Sequence, residues 1–355
     1  MSLEQKMADF FKFEENDTDM QGEIRAGITT FLTMAYILLV NPAMLAVSGI
    51  PFDDALFATA IAAFVGCTVM GLWANKPYAL APGMGLNAYF VFTVVLTMGI
   101  SWQVALAAVL VEGIIFMIIS IPQIGWRTKM INAIPKDLKV ATGAGIGMFL
   151  AIIGLREMGW IQDDPATLVN LGGTETWGTD VCVGPLDPVT GLCTVTQEVA
   201  FYQHGGIIAM IALIAIVVMM ARGIKGAIIY GILGASLYGW LVGAYDPYNN
   251  FFGGGAGWGS TEASWPDELF GFVGMPTESM GAAFSALGDV GDDLAGFMLV
   301  MIAFLFVDIF DTAGTLYSVG RAAGYVDEND ELMNSNEAFM SDAAATIVGA
   351  MCGTS

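Results

Sequence analysis

Nine times along its 355 residues the chain stays apolar for about the thickness of a bilayer. A hydrocarbon core of about 30 Å takes roughly 20 helical residues to cross. Stretches of that order fall at 24–47, 54–73, 79–99, 102–122, 138–155, 204–222, 225–243, 294–316 and 337–353. In lipid each backbone N–H and C=O needs a partner inside the protein, so such stretches fold as helices. Composition agrees: 13% of residues are charged, against about 25% in soluble domains. An all-α polytopic membrane protein is expected. Residues 1–23 (MSLEQKMADFFKFEENDTDMQGE) lack the apolar run of a signal peptide and read as a polar surface segment.

The basic residues give an orientation. With the N-terminus cytoplasmic, Lys6, Lys12, Arg25, Lys76, Arg127, Lys129, Lys136, Lys139, Arg222, Lys225 and Arg321 all fall inside, and Arg156 alone falls outside. Eleven of the twelve obey the positive-inside rule. A missed or extra span would scramble that alternation. The net charge of −22 reads as a solvated, salt-adapted surface of the kind excess carboxylates maintain. No cofactor and no nucleic-acid partner are expected. Cys182 and Cys193 flank VGPLDPVTGL in an outside loop, where a disulfide would persist, whereas Cys67 and Cys352 lie inside spans.

Two long outside segments, 156–203 and 244–293, interrupt the spans. Gly231, Ala235, Gly239 and Gly243 recur every fourth residue in span seven, and Gly143 and Gly147 do so in span five. Such ridges let helices approach closely, within one subunit or across a homodimer. Shifting the sequence by 283 places ALFATAIAAFVG (55–66) over AFMSDAAATIVG (338–349), with Gly66 on Gly349. Span two runs inward and span nine outward, as an inverted repeat of seven spans requires. That repeat calls for five spans beyond span nine, so the chain is read as part of a longer transporter.

Two places depart from plain apolar helix. In span three, KPYALAPGMGLNAYF, the residues Pro82, Gly83 and Gly85 interrupt the pattern before Asn87. An extended stretch followed by a half-helix is expected, and irregular backbone at that depth is tolerated only where it is buried or lines a cavity. Span eight, LFVDIFDTAGTLYS, places Asp308, Asp311, Thr312 and Thr315 on one broad helix face. An ionised aspartate at the bilayer centre costs at least about 2.5–3.5 kcal/mol. It persists there if it faces a wet cavity, finds a partner or takes up a proton, and no lysine or arginine lies in either span.

TTFLTMAYILLVNP (29–42), ALAPGMGLNAYF (79–90) and FVDIFDTAGTLYS (306–318) resemble the AzgA-like hypoxanthine/guanine permeases of the nucleobase–cation symporter superfamily. The resemblance implies fourteen spans as two inverted sets of seven, about nine of them present here, with a short strand and half-helix in span three. It implies a core domain of spans one to four (24–125) continued by spans eight and nine (294–355), and a gate domain of spans five to seven (137–243). It further implies uptake of a purine base with a proton or sodium across the cell membrane. Carried over by motif, Asp311, Asn87, Gly83, Gly85 and Thr315 would bind substrate, and Asp311 with Asp308 would couple the proton. A second acidic ligand is implied in span ten, beyond GAMCGTS. Apart from the resemblance, Tyr89 or Phe90 is read either as stacking on the ring face of the base or as plain core, the usual place of aromatics in apolar spans.

Other readings are a carrier of uracil or xanthine, or an anion carrier or channel on the same fold. Cavity carboxylates disfavour an anion. Intramembrane aspartyl proteolysis is a remote alternative, since Tyr245–Asp246 and ALGD (286–289) sit in polar segments rather than within spans.

Overall fold

The computed structural model describes residues 3–16, 18–121, 135–164, 167–171, 180–182, 196–198, 204–224, 226–242, 273–288, 290–328 and 332–355. The chain divides into two compact units, Met1–Gly147 with Val273–Ser355, and Met148–Phe272.

In the first unit, α1 (Leu3–Phe10) precedes α2 (Met20–Met34) and α3 (Ile37–Ala46). Asp19 caps α2 by accepting the Gly22 N–H at 2.7 Å. A turn at Ala35–Tyr36 separates α2 from α3, and Pro42 sits inside α3, where it has no N–H to give Leu38. Helix α4 (Phe52–Val69) widens into a π-turn at Met70–Ala74. An extended stretch then leads to α5 (Met84–Ala88), which continues in π geometry through Tyr89–Thr97. Helix α6 (Trp102–Ser120) follows, capped by Ser101. Helix α7 (Lys136–Glu157) runs across the division between the units. After the division come α10 (Ala282–Ala286), the 30-residue α11 (Leu294–Ala323) and α12 (Ser335–Cys352). The C-terminal end of α12 turns at Gly353, whose φ of +119° suits a residue without Cβ.

Helix α12 packs on α4 and α6, and α11 packs on α6. Met70, Phe116, Ile309, Leu316 and Phe339 fill the core between them. Where α4 crosses α12, a Cβ on Gly66 would lie 2.9 Å from Ala345 Cβ, and one on Gly349 would lie 3.5 Å from Ala62 Cβ. Under the shift of 283, Gly66 and Ala62 exchange with Gly349 and Ala345. The contact therefore maps onto itself, as two repeats related by a two-fold axis would make it.

The extended stretch of span three forms no strand pair among the described residues. Leu80 instead donates its N–H to Cys67 Sγ at 3.2 Å, and the thiol donates to the Leu80 carbonyl at 3.3 Å. Cys67 thus satisfies backbone groups that a neighbouring strand would otherwise hold. Asp54, in the first turn of α4, accepts the N–H groups of Thr277, Glu278 and Ser279 at 3.3, 2.9 and 2.8 Å. Asp54→Ala strands those donors. Hydrogen bonds to a charged group contribute about 1.5–3 kcal/mol, so the variant is expected to show a clearly lowered Tm in a thermal-shift measurement in detergent.

Among its described residues the second unit holds two short antiparallel strand pairs, β1 (Ile161–Asp164) with β2 (Leu168–Leu171) and β3 (Asp180–Cys182) with β4 (Thr196–Glu198). They decorate the helical fold within segment 156–203. Cys193 lies outside the described residues, and so does most of segment 244–293. Helices α8 (Gly205–Ala221) and α9 (Ala227–Val242) pack on each other, with Gly231 against Ile216. Ile211, Ile214, Val217 and Met220 of α8 are exposed, an arrangement suited to lipid.

Among the described residues, four helical stretches are long and apolar enough to cross a membrane: Met20–Ala46, Phe52–Ala74, Trp102–Ser120 and Leu294–Ala323. Met84–Thr97, Ala141–Arg156, Gly205–Ala221 and Ala227–Gly239 are shorter apolar helices. Helix α12, expected as span nine, carries Glu337 and Asp342 and reaches neither class by composition.

Candidate functional site

Helix α11 is long enough to place its acids far from either end. At 1.5 Å per residue, Asp308 lies about 21 Å from the start of the helix. Asp308 and Thr312 are buried, Asp311 is half-buried, and Thr315, one turn beyond Asp311, is exposed with its hydroxyl in hydrogen-bond reach of that carboxylate.

A cavity of about 410 Å³ opens beside this face, within the first unit. Small-molecule sites commonly measure about 300–1,000 Å³. Asp308, Asp311, Thr312 and Thr315 line the cavity from α11. Tyr78, Pro82 and Gly83 line it from the extended stretch, and Asp342 and Thr346 from α12. The span-three break and the span-eight acids therefore share one chamber. Where they meet, a Cβ on Gly83 would lie 3.1 Å from Asp311 Oδ2. The absence of a side chain at Gly83 lets the carboxylate occupy that place.

Two of the residues singled out by motif are absent from the lining. Asn87 is fully buried, donating its amide to Asn41 Oδ1 and accepting from the Ser355 hydroxyl. Asn41 in turn donates to Thr59 at 2.8 Å and to Thr354 at 3.0 Å. In this arrangement Asn87 fastens α5 to α3, α4 and the end of α12. Gly85 is exposed, with nothing within 4 Å of an added Cβ. Tyr89 and Phe90 both pack on Phe304, at ring-centroid distances of 5.4 and 6.2 Å. The aromatic side chain lining the cavity is Tyr78, whose buried hydroxyl has no hydrogen-bond partner among the described residues.

Asp308 and Asp342 supply acids to the polar side of the chamber, and a third acid lies behind them. The Thr312 hydroxyl lies 3.3 Å from Asp308 Oδ1 and 2.5 Å from Asp342 Oδ2. Behind Asp308, Glu112 of α6 is fully buried. No group of three His, Cys, Asp or Glu among the described residues could hold a metal ion. Glu112 and Asp342 carried a legible signal. Each is an acid within an apolar helical run, VLVEGII and MSDAAATIVG, and such residues mark functional sites by default. Tyr78 and Asn41 carried none, since aromatics and amides near helix ends are common.

Comparison with known proteins settles the family. The model of the permease family, that of the xanthine/uracil permeases, matches residues 21–355. The chain belongs to the xanthine/uracil permease family. Relatives of this permease include the guanine/hypoxanthine permeases PbuG and PbuO of Bacillus subtilis, 37% and 36% identical. The alignments cover 98% and 97% of this chain, and 70% and 69% of those proteins. The adenine permease AdeP of Escherichia coli is 33% identical, over 97% of this chain and 66% of its own length. The permease is thus a multi-pass membrane transporter rather than an enzyme.

If the cavity receives substrate, the Gly83–Asp311 contact makes a graded test. Gly83→Ala pushes the carboxylate by a few tenths of an ångström and is expected to lower uptake several-fold at unchanged expression. Gly85→Ala meets open space and should leave uptake unchanged. Equal rates for both variants would mean that the Asp311 position is immaterial.

Proposed function

We propose that this permease imports purine nucleobases (hypoxanthine, guanine or adenine) across the cell membrane by proton symport, with its N-terminus cytoplasmic. The observation that carries the reading is the chamber in which Asp311 and Asp308 face the Pro82–Gly83 break, in a chain related to proteins named for guanine, hypoxanthine and adenine. A purine presents N–H donors and ring-nitrogen or carbonyl acceptors in one plane. The Asp311 carboxylate, held by the Thr315 hydroxyl, accepts from the donors, the Tyr78 hydroxyl supplies a donor to the acceptors, and the apolar walls enclose the ring faces. Asn87, together with Asn41, holds the half-helix that shapes the break. The core domain (24–125 and 294–355) rocks against the gate domain (137–243) to give alternating access.

The test is uptake of labelled hypoxanthine by vesicles carrying the full-length protein, with pH and sodium gradients imposed separately. Accumulation should follow the pH gradient and be competed by guanine or adenine but not by uracil. Accumulation driven by sodium alone would replace the proton with sodium, and failure of every purine to compete would overturn the substrate assignment.

A further inference from the structure

The chamber has an acid that the substrate does not need. Glu112 is fully buried in α6, does not line the cavity, and neither of its carboxyl oxygens is reached by an N–H or hydroxyl group of any described residue. Asp308 Oδ2 is likewise buried without a donor. The two carboxyl groups sit in hydrogen-bond contact with each other. Carboxylates only accept hydrogen bonds, so a contact between two of them needs a proton held on one.

The same accounting extends along the cluster. Glu112 meets Asp308, Asp308 meets the Thr312 hydroxyl, and that hydroxyl meets Asp342. A hydroxyl has a single proton, so it donates to one aspartate and can only accept from the other. At most one of the three contacts is supplied by Thr312. The rest draw on protons carried by the carboxyl groups.

Among the described residues of the helices packed around Glu112 and Asp308, no basic side chain substitutes for those protons. The acids facing Glu112 are Asp308 and, from α12, Asp342, while Asp308 also faces Asp311 one turn along α11. Helix α10 (AAFSA) brings no titratable group, and the π-helical run Tyr89–Thr97 brings only Tyr89. Neither α4, α6 nor α12 contains a lysine, arginine or histidine. Arg321 of α11 is thirteen residues beyond Asp308, about 20 Å along the helix.

We propose that Glu112 and Asp308 form a proton-binding pair set behind the substrate chamber, Glu112 storing the proton and Asp308 exchanging it with the cavity. Asp308, Thr312 and Asp342 all line the chamber, whereas Glu112 reaches it through Asp308. The proton passes from Glu112 to an Asp308 oxygen and from there to cavity water, leaving two negative charges side by side. That state is costly in a dry interior. It ties proton release to an open, wet chamber, and re-protonation to the other open state. The proposal rests on the proton-symport reading above and adds to it a proton carrier that is separate from the base-binding groups.

The test compares two assays of Glu112→Gln in proteoliposomes of the full-length permease, with labelled hypoxanthine as the probe. Exchange of labelled for unlabelled base at equal pH on both sides moves no net proton, and E112Q should retain it without its wild-type pH dependence. Accumulation driven by an imposed pH gradient should be lost. Wild-type accumulation by E112Q overturns the proposal, and so does loss of exchange in a variant that elutes as a folded protein.

Should E112Q fail to fold, difference infrared spectra of the wild-type protein with ¹³C-labelled glutamate decide the matter. A protonated glutamic acid carbonyl band that responds to a pH step supports Glu112, and its absence overturns the assignment. If the wild type ignores a pH gradient but follows a sodium gradient, the symport reading fails first, and the infrared band separately reports whether Glu112 holds a proton.

Discussion

Asp311→Asn is expected to cut purine uptake by roughly 10- to 150-fold while leaving expression and elution unchanged. A hydrogen bond to a charged group is worth about 1.5–3 kcal/mol, and about 1.4 kcal/mol makes a factor of ten. Asparagine nearly matches the shape of aspartate but offers one acceptor oxygen and an N–H₂ group. Facing the N–H groups of a base, that amide presents a donor where an acceptor is needed. Fold should survive, because Asp311 is half-buried at the cavity wall, beside Gly83 and the Thr315 hydroxyl. Asp311→Glu is an informative companion. It restores the charge, but its extra methylene presses on a place where even a Cβ added at Gly83 would lie 3.1 Å from the carboxylate. Rescue by glutamate should be poor. Wild-type uptake by a well-expressed D311N would remove Asp311 from the substrate site and leave the chamber needing a different anchor.

The second large effect is structural. Gly66→Val places a branched side chain where a single Cβ would already lie 2.9 Å from Ala345 Cβ and 3.1 Å from Leu80 Cβ. Both neighbours are first side-chain atoms fixed by their backbones, so no rotamer change clears the space. Overpacking costs typically about 1–3 kcal/mol and at times more. Here it strikes α4, α12 and the extended stretch together. The expected result is loss of the monodisperse peak on detergent size-exclusion chromatography. Gly66→Ala should be milder, and adding Ala345→Gly should recover part of its loss, since that change removes the colliding atom. A double mutant that behaves as the plain sum of its parts would show that the two residues are not coupled.

Legibility differed between kinds of feature. The apolar runs and the helix breaks were plain because lipid permits few backbone solutions, and hydropathy records them directly. Asp311 and Gly83 were legible because an acid or a Pro–Gly interruption within an apolar run has no inexpensive structural explanation. Glu112 and Asp342 obey the same rule, yet they stand outside the motif stretches that carry the family resemblance. Asn87 shows the opposite limit. A polar residue in the first turn of a half-helix looks like a ligand group, and only three-dimensional contacts reveal that Asn41 and Ser355 occupy it. Aromatic residues were harder still. Tyr89, Phe90 and Tyr78 are equally placed in the string of letters, and which ring meets the chamber depends on how the break turns the chain. The strand pairs of segment 156–203 are short and lie in a polar stretch, where no periodicity long enough to read develops.

The crossing of α4 and α12 also limits how this part of the molecule can move. Its two close approaches, Gly66 on Ala345 and Gly349 on Ala62, lie on either side of the crossing point. A see-saw tilt of one rod on the other would pry one approach apart while jamming the other. The pair therefore travels as a single stiff plank, and Leu80, wedged against Gly66, is carried with it. In the alternating-access reading proposed above, the pivot therefore falls outside this crossing.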